Sequence, residues 1–128
     1  SEGAGKATDG LGDLNWNTIV TKKGETRIDH INRHSIPNPT RETHGVFNGD
    51  AQNMVNNAWK QRAGVIPVDD GMGGYIYNIP YKNAGYESGL INTGAQMDYI
   101  TIVTMKGKED LITAFPSFGN YAPRIGGK

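Results

Sequence analysis

At Gly64 the spacing of apolar residues changes period, and that change fixes the kind of fold this chain can adopt. Before it, Ala51, Met54, Val55, Ala58 and Trp59 recur at i, i+3, i+4, i+7 and i+8, the stripe of an amphipathic helix. Asp50 stands where its carboxylate can cap the first turn, and Gly64 is placed to end the helix as a C′ residue. After Gly64, β-branched and aromatic residues alternate with polar ones, as half-buried strands require. Residues 65 to 68 and 75 to 79 flank a turn-rich stretch, 69 to 74, and predict a hairpin. Residues 99 to 105 and 111 to 115 flank Lys106-Gly107-Lys108-Glu109-Asp110 and predict a second. Pro116 is expected to close the last strand, because it has no N–H to give to a ladder. N-terminal helices packed on a C-terminal antiparallel β-sheet make an α+β domain.

Upstream of the helix the pattern is shorter. Ile28 and Ile31 form a narrow stripe over 25 to 34, which predicts a short helix stopped by Pro37 and Pro39. His30 and His34 then share one edge of it. Residues 15 to 21, with Trp16, Ile19 and Val20, predict a short strand or an irregular anchor on the core. Residues 1–13 are polar and glycine-rich, with too little apolar surface to offset the entropy of ordering them, and are expected to be a flexible linker or lead-in. Residues 14–128 are then one domain. The opening residues lack the basic-then-apolar order of a secretory signal, and the chain is expected to be the detached end of a longer protein.

Composition narrows the chemistry. With no cysteine, neither a disulfide framework nor a thiolate zinc site can staple the fold. No apolar run approaches the roughly 18 to 20 residues that cross a bilayer. Thirteen basic and thirteen acidic residues cancel, so no overall field draws in a polyanion; only local cationic clusters can hold phosphate.

The three histidines lie close together in the sequence, at His30, His34 and His44. Metal binding is one reading, since His30 and His34 have the i, i+4 spacing of helical ligands and His44 offers a third. The zinc-protease pattern, however, requires Glu after the first His, and Ile31 stands there. A second reading gives the rings no more than packing or hydrogen-bonding duties. The third is acid–base catalysis. RNA cleavage by attack of the 2′-hydroxyl on its own phosphate needs one group to take a proton and another to give one, and imidazoles near pKa 6.5 do both without a metal.

Asp29-His30-Ile31, a gap, then His44-Gly45 leading into an amphipathic helix resembles the EndoU-type endoribonucleases, a group with coronavirus uridylate-specific enzymes and bacterial toxin domains. Thr113-Ala114-Phe115-Pro116 resembles the family's Ser or Thr followed two residues later by Tyr, with Phe115 in place of that Tyr. The resemblance covers roughly residues 25 to 118. It implies a barnase/EndoU/colicin/RelE-like fold, with His30 and His44 as catalytic base and acid, His30 being the expected base, and Thr113 holding the phosphate. Lys82, in a stretch that reads as a loop, is the expected catalytic lysine. Phe115 and Tyr81 would stack on bases, and Arg33, Arg41 and His34 would contact phosphate.

What the resemblance implies for function is a toxin of contact-dependent growth inhibition. It would cleave RNA, with tRNA the expected substrate, to 2′,3′-cyclic phosphate and 5′-hydroxyl ends, with no cofactor or metal. It would be delivered on a larger protein from a producer's surface, act in the target cell's cytoplasm, and be blocked by a cognate immunity protein. Two alternatives stand beside this: a non-catalytic protein-interaction domain using its sheet and six tyrosines, and a metal-dependent nuclease using the three histidines.

Overall fold

The computed structural model describes residues 10–18 and 24–122. In chain order these form α1 (Arg27–Ile31), a 3₁₀ turn (Asn32–Ser35), β1 (Gly45–Phe47), α2 (Ala51–Lys60), β2 (Val68–Asp69), β3 (Gly74–Glu87), β4 (Gln96–Met105) and β5 (Leu111–Ser117). The sheet runs β1-β3-β4-β5, with β2 also paired to β3, and every pairing is antiparallel. The domain is therefore α+β, two short helices on a five-stranded sheet. No helix among the described residues is long and apolar enough to cross a membrane.

α2 follows from its sequence. The Asp50 carboxylate accepts from the Asn53 N–H at 2.9 Å, and Ala51, Val55, Ala58 and Trp59 are buried as one stripe. Trp59 meets Tyr77 of β3 edge to face, centroids 5.0 Å apart, in a core that also takes Ile79, Ile100, Ile102, Leu111 and Ala114. The helix stops earlier than Gly64. Gln61 is the C-cap, and the Arg62 guanidinium donates to the Trp59 carbonyl at 2.8 Å while lying 4.0 Å over the indole. The Arg62 backbone N–H reaches the same carbonyl at 3.2 Å, so the helix closes in a tightened turn before the glycine is reached, and Gly64, at φ 85°, belongs to the turn beyond.

The hairpins form where alternation placed them, but strand limits differ, β4 beginning at Gln96 and not at residue 99. Only Val68–Asp69 pair on the first arm, since Pro67 has no N–H to give. β3 does not end near residue 79; it runs through Pro80 to Glu87, shifting register between Pro80 and Gly85. Asn83 takes a positive φ of 57° there, and its N–H is held by the Asp98 carboxylate at 2.7 Å, so the expected loop around Lys82 is a bulge inside a strand. β5 continues through Pro116 to Ser117, which an edge strand tolerates because the missing donor can face away from the ladder.

Residues 10–13, part of the expected lead-in, are held against the domain: the Gly12 carbonyl accepts from the Trp59 indole at 2.8 Å, and Leu11 packs on the core. Asn15 bridges to Asp110 and the Trp16 indole donates to Asn56 at 2.8 Å, which anchors this segment without a strand. Ile19 and Val20 lie outside the described residues.

One feature of the sheet positions everything that follows. β1 and β5 occupy opposite ends of the strand order, yet they touch through Pro116. A Cβ on Gly45 would sit 2.5 Å from the Pro116 carbonyl oxygen, and one on Gly85 would sit 2.8 Å from the Pro116 ring. Missing side chains at these two glycines let the sheet curl until its ends meet.

Candidate active site

α1 is fixed to the edge of that curl. Thr26 caps it by accepting from the Asp29 N–H at 3.1 Å. Arg27 then donates to the Ile112 carbonyl of β5 at 2.5 Å and to the Thr18 hydroxyl at 2.6 Å, covering backbone that the edge strand leaves unpaired. One turn on, His30 faces the next residue of the same strand, with Nε2 3.2 Å from the Thr113 hydroxyl. Its Nδ1 is enclosed without a hydrogen bond; the Glu25 carboxylate is 3.8 Å away, close enough to attract a proton but too far to bond. Burial pushes the His30 pKa down and Arg33 adds to this, while Glu25 opposes both. Glu25 also receives the Arg33 guanidinium, 2.9 Å from each carboxylate oxygen.

The 3₁₀ turn after α1 swings His34 over β1. Its Nδ1–H donates to the Gly45 carbonyl at 2.8 Å, and burial drives its pKa down to about 4, that hydrogen bond acting in opposition. His44, one residue before β1, stacks on it with centroids 4.5 Å apart and 13° between planes. His44 is only 4% exposed; its Nε2–H is shared by the Arg33 and Ile36 carbonyls, each at 3.0 Å, and its Nδ1 is buried without a partner. Beneath it the Glu87 carboxylate, 1% exposed, accepts from the His44 backbone N–H at 2.5 Å and from Gly89 at 2.8 Å.

These side chains line one cavity of about 480 Å³, together with Arg33, Arg41, Thr113 and an apolar wall of Phe115, Pro116 and Tyr121. Phe115 lies between His34, at 5.5 Å, and Tyr121, at 5.1 Å. Seven of the residues named from sequence are thus gathered: His30, His34, His44, Thr113, Phe115, Arg33 and Arg41. Lys82 and Tyr81 are not among them. They line a separate cavity of about 650 Å³ with Gln61, Pro80, Asp98 and Tyr99, where the bulge of β3 puts them. Sequence reasoning missed Glu87 and Tyr121, which carry no motif, and the part played by the Gly45 carbonyl.

Chemically, the cavity offers imidazoles, hydroxyls that include that of Thr113, two guanidinium groups and an aromatic wall. Among the described residues, no group of three or more His, Asp or Glu side chains is arranged to hold a metal ion. Two of the ring nitrogens, His34 Nδ1 and His44 Nε2, are committed to backbone carbonyls. Comparison with family models, curated proteins and solved structures gives no match to this chain.

Proposed function

We propose that this cavity is the active site of a metal-independent endoribonuclease. The observation that carries this is the contact of His30 Nε2 with the Thr113 hydroxyl at 3.2 Å, in a cavity that a second imidazole and two arginines share. Cleavage needs a base to remove the proton of the ribose 2′-hydroxyl as that oxygen bonds to phosphorus. It also needs an acid to protonate the 5′-oxygen as its bond to phosphorus breaks, leaving a 2′,3′-cyclic phosphate and a 5′-hydroxyl. Thr113 is placed to donate to a phosphoryl oxygen, Arg33 and Arg41 to offset the added charge, and Phe115 with Tyr121 to stack on a base.

Helices followed by a curled antiparallel sheet support placing the fold with barnase, EndoU, colicin and RelE-like ribonucleases. On that placement the chain acts as a toxin on RNA, tRNA being the expected class, and an acidic immunity protein would block it by covering Arg33 and Arg41. Lys82 has no part in this chemistry as drawn, because it lines the other cavity.

The test is cleavage of single-stranded RNA against the same sequence with 2′-O-methyl ribose, both in EDTA. Cleavage of the first alone supports the proposal. Cleavage of both, or loss of cleavage in EDTA, sinks it.

A further inference from the structure

Transesterification by a pair of imidazoles requires two ring nitrogens open to one phosphate, and the three rings differ in what their nitrogens are doing. His44, the partner that sequence spacing ranks beside His30, has neither nitrogen open. Its Nε2–H bridges two carbonyls at the end of the 3₁₀ turn, and its Nδ1 is sealed in protein. Imidazole N–H groups that cap backbone carbonyls hold structure; they cannot also exchange a proton with substrate.

His34 is arranged the other way round. Donation from Nδ1–H to the Gly45 carbonyl fixes the tautomer, so Nε2 carries the lone pair, and among the described residues that nitrogen makes no hydrogen bond while the ring lines the cavity. The same carbonyl stabilises the imidazolium that forms when Nε2 takes a proton, which is the service a buried acceptor performs for a catalytic histidine. His44 lies flat against this ring at 4.5 Å, and Glu87 fixes the His44 backbone from below.

We infer that His34 supplies the second catalytic imidazole, as general base through Nε2, and that His44 is a positioning residue that holds His34 in place. The inference rests on the ribonuclease reading of the same cavity. The 2′-hydroxyl proton passes to His34 Nε2 as the 2′-oxygen bonds to phosphorus; His30 gives its Nε2 proton to the departing 5′-oxygen. The charged and titratable groups around His34 are His44, Arg41 and His30, all of which disfavour its protonation in the free protein. A bound phosphodiester is the opposite charge, and it raises the basicity of Nε2 when substrate is present.

The experiment compares wild type, His34→Ala, His44→Gln and His30→Ala on tRNA in EDTA, with thermal unfolding of each. Gln at position 44 keeps an N–H donor for the two carbonyls. His34→Ala is expected to slow cleavage about 100-fold or more, the usual contribution of a general base, in protein that still unfolds in one cooperative transition. His44→Gln is expected to stay within about tenfold of wild type. In His44→Gln the acid limb of the kcat/KM profile should also move to higher pH, because a group that depresses the His34 pKa is gone; a merely structural residue would not move that limb. His34→Ala cleaving at the wild-type rate overturns the assignment, as does a folded His44→Gln that is as impaired as His34→Ala. Wild type that leaves RNA intact overturns the ribonuclease reading and the assignment with it, whereas cleavage lost in His30→Ala but kept in His34→Ala overturns the assignment alone.

Discussion

His30 Nε2 and the Thr113 hydroxyl meet at 3.2 Å although 83 residues separate them in sequence. The contact exists because Arg27, one turn before His30, is anchored to the carbonyl of Ile112, one residue before Thr113. Helix and strand are thereby locked in step.

Thr113→Val keeps the branched shape and removes the hydroxyl. Cleavage is expected to fall by about 100- to 1000-fold, the range seen for losing one donor to an oxyanion centre. Thr113→Ser should recover most of it. A Val variant that cleaves like wild type would remove Thr113 from the chemistry; single-turnover rates on RNA decide it.

Among the described residues, Glu25 is the group that raises the His30 pKa against burial, Arg33 and Arg27. If His30 is the acid, kcat/KM falls as pH rises through its pKa. Glu25→Gln lowers that pKa further, so the alkaline limb should move to lower pH. A limb that stays put, or moves up, contradicts the role given to His30.

Because the folded-state pKa of His34 is depressed to about 4, its neutral ring adds stability that is complete above pH 6.5 and is lost as pH falls towards 4. The loss amounts to at most about 3 kcal/mol. Urea unfolding between pH 7 and pH 4 should therefore steepen in wild type and flatten in His34→Gln. Equal slopes would mean that His34 is not held neutral by burial.

Gly45→Ala puts a Cβ 2.5 Å from the Pro116 carbonyl and 2.9 Å from the Met97 sulfur. Backbone on one side cannot yield, so destabilisation of about 1–3 kcal/mol is expected. Cleavage should fall further than stability does, since the Gly45 carbonyl orients His34. A variant with a lower unfolding midpoint but full activity would detach the seam from the site.

Much of this fold was legible from the chain. Asp50, the stripe ending at Trp59 and the two turns announced α2, the hairpins and the α+β class. β1 was not legible: Gly45, Val46 and Phe47 are too few to show a period, and they become a strand only by pairing with Tyr86 and its neighbours 40 residues on. Nor did Pro80 and Gly85 look like strand, because a bulge held by Asp98 is a tertiary event. At the site, spacing brought out all three histidines and ranked His44 beside His30, with no view of what their nitrogens are doing. Which nitrogen is capped depends on the carbonyls of Gly45, Arg33 and Ile36, and those arrive only when the sheet curls. Lys82 shows the same limit from the other side, since the fold sends it to a different cavity from the histidines.

The most direct measurement is end-group analysis of tRNA treated with wild type and with His30→Ala in EDTA. Wild type should leave 2′,3′-cyclic phosphate and 5′-hydroxyl ends, and His30→Ala should leave the RNA intact. Equal cleavage by both proteins, or 5′-phosphate ends from wild type, would contradict an active site built on His30.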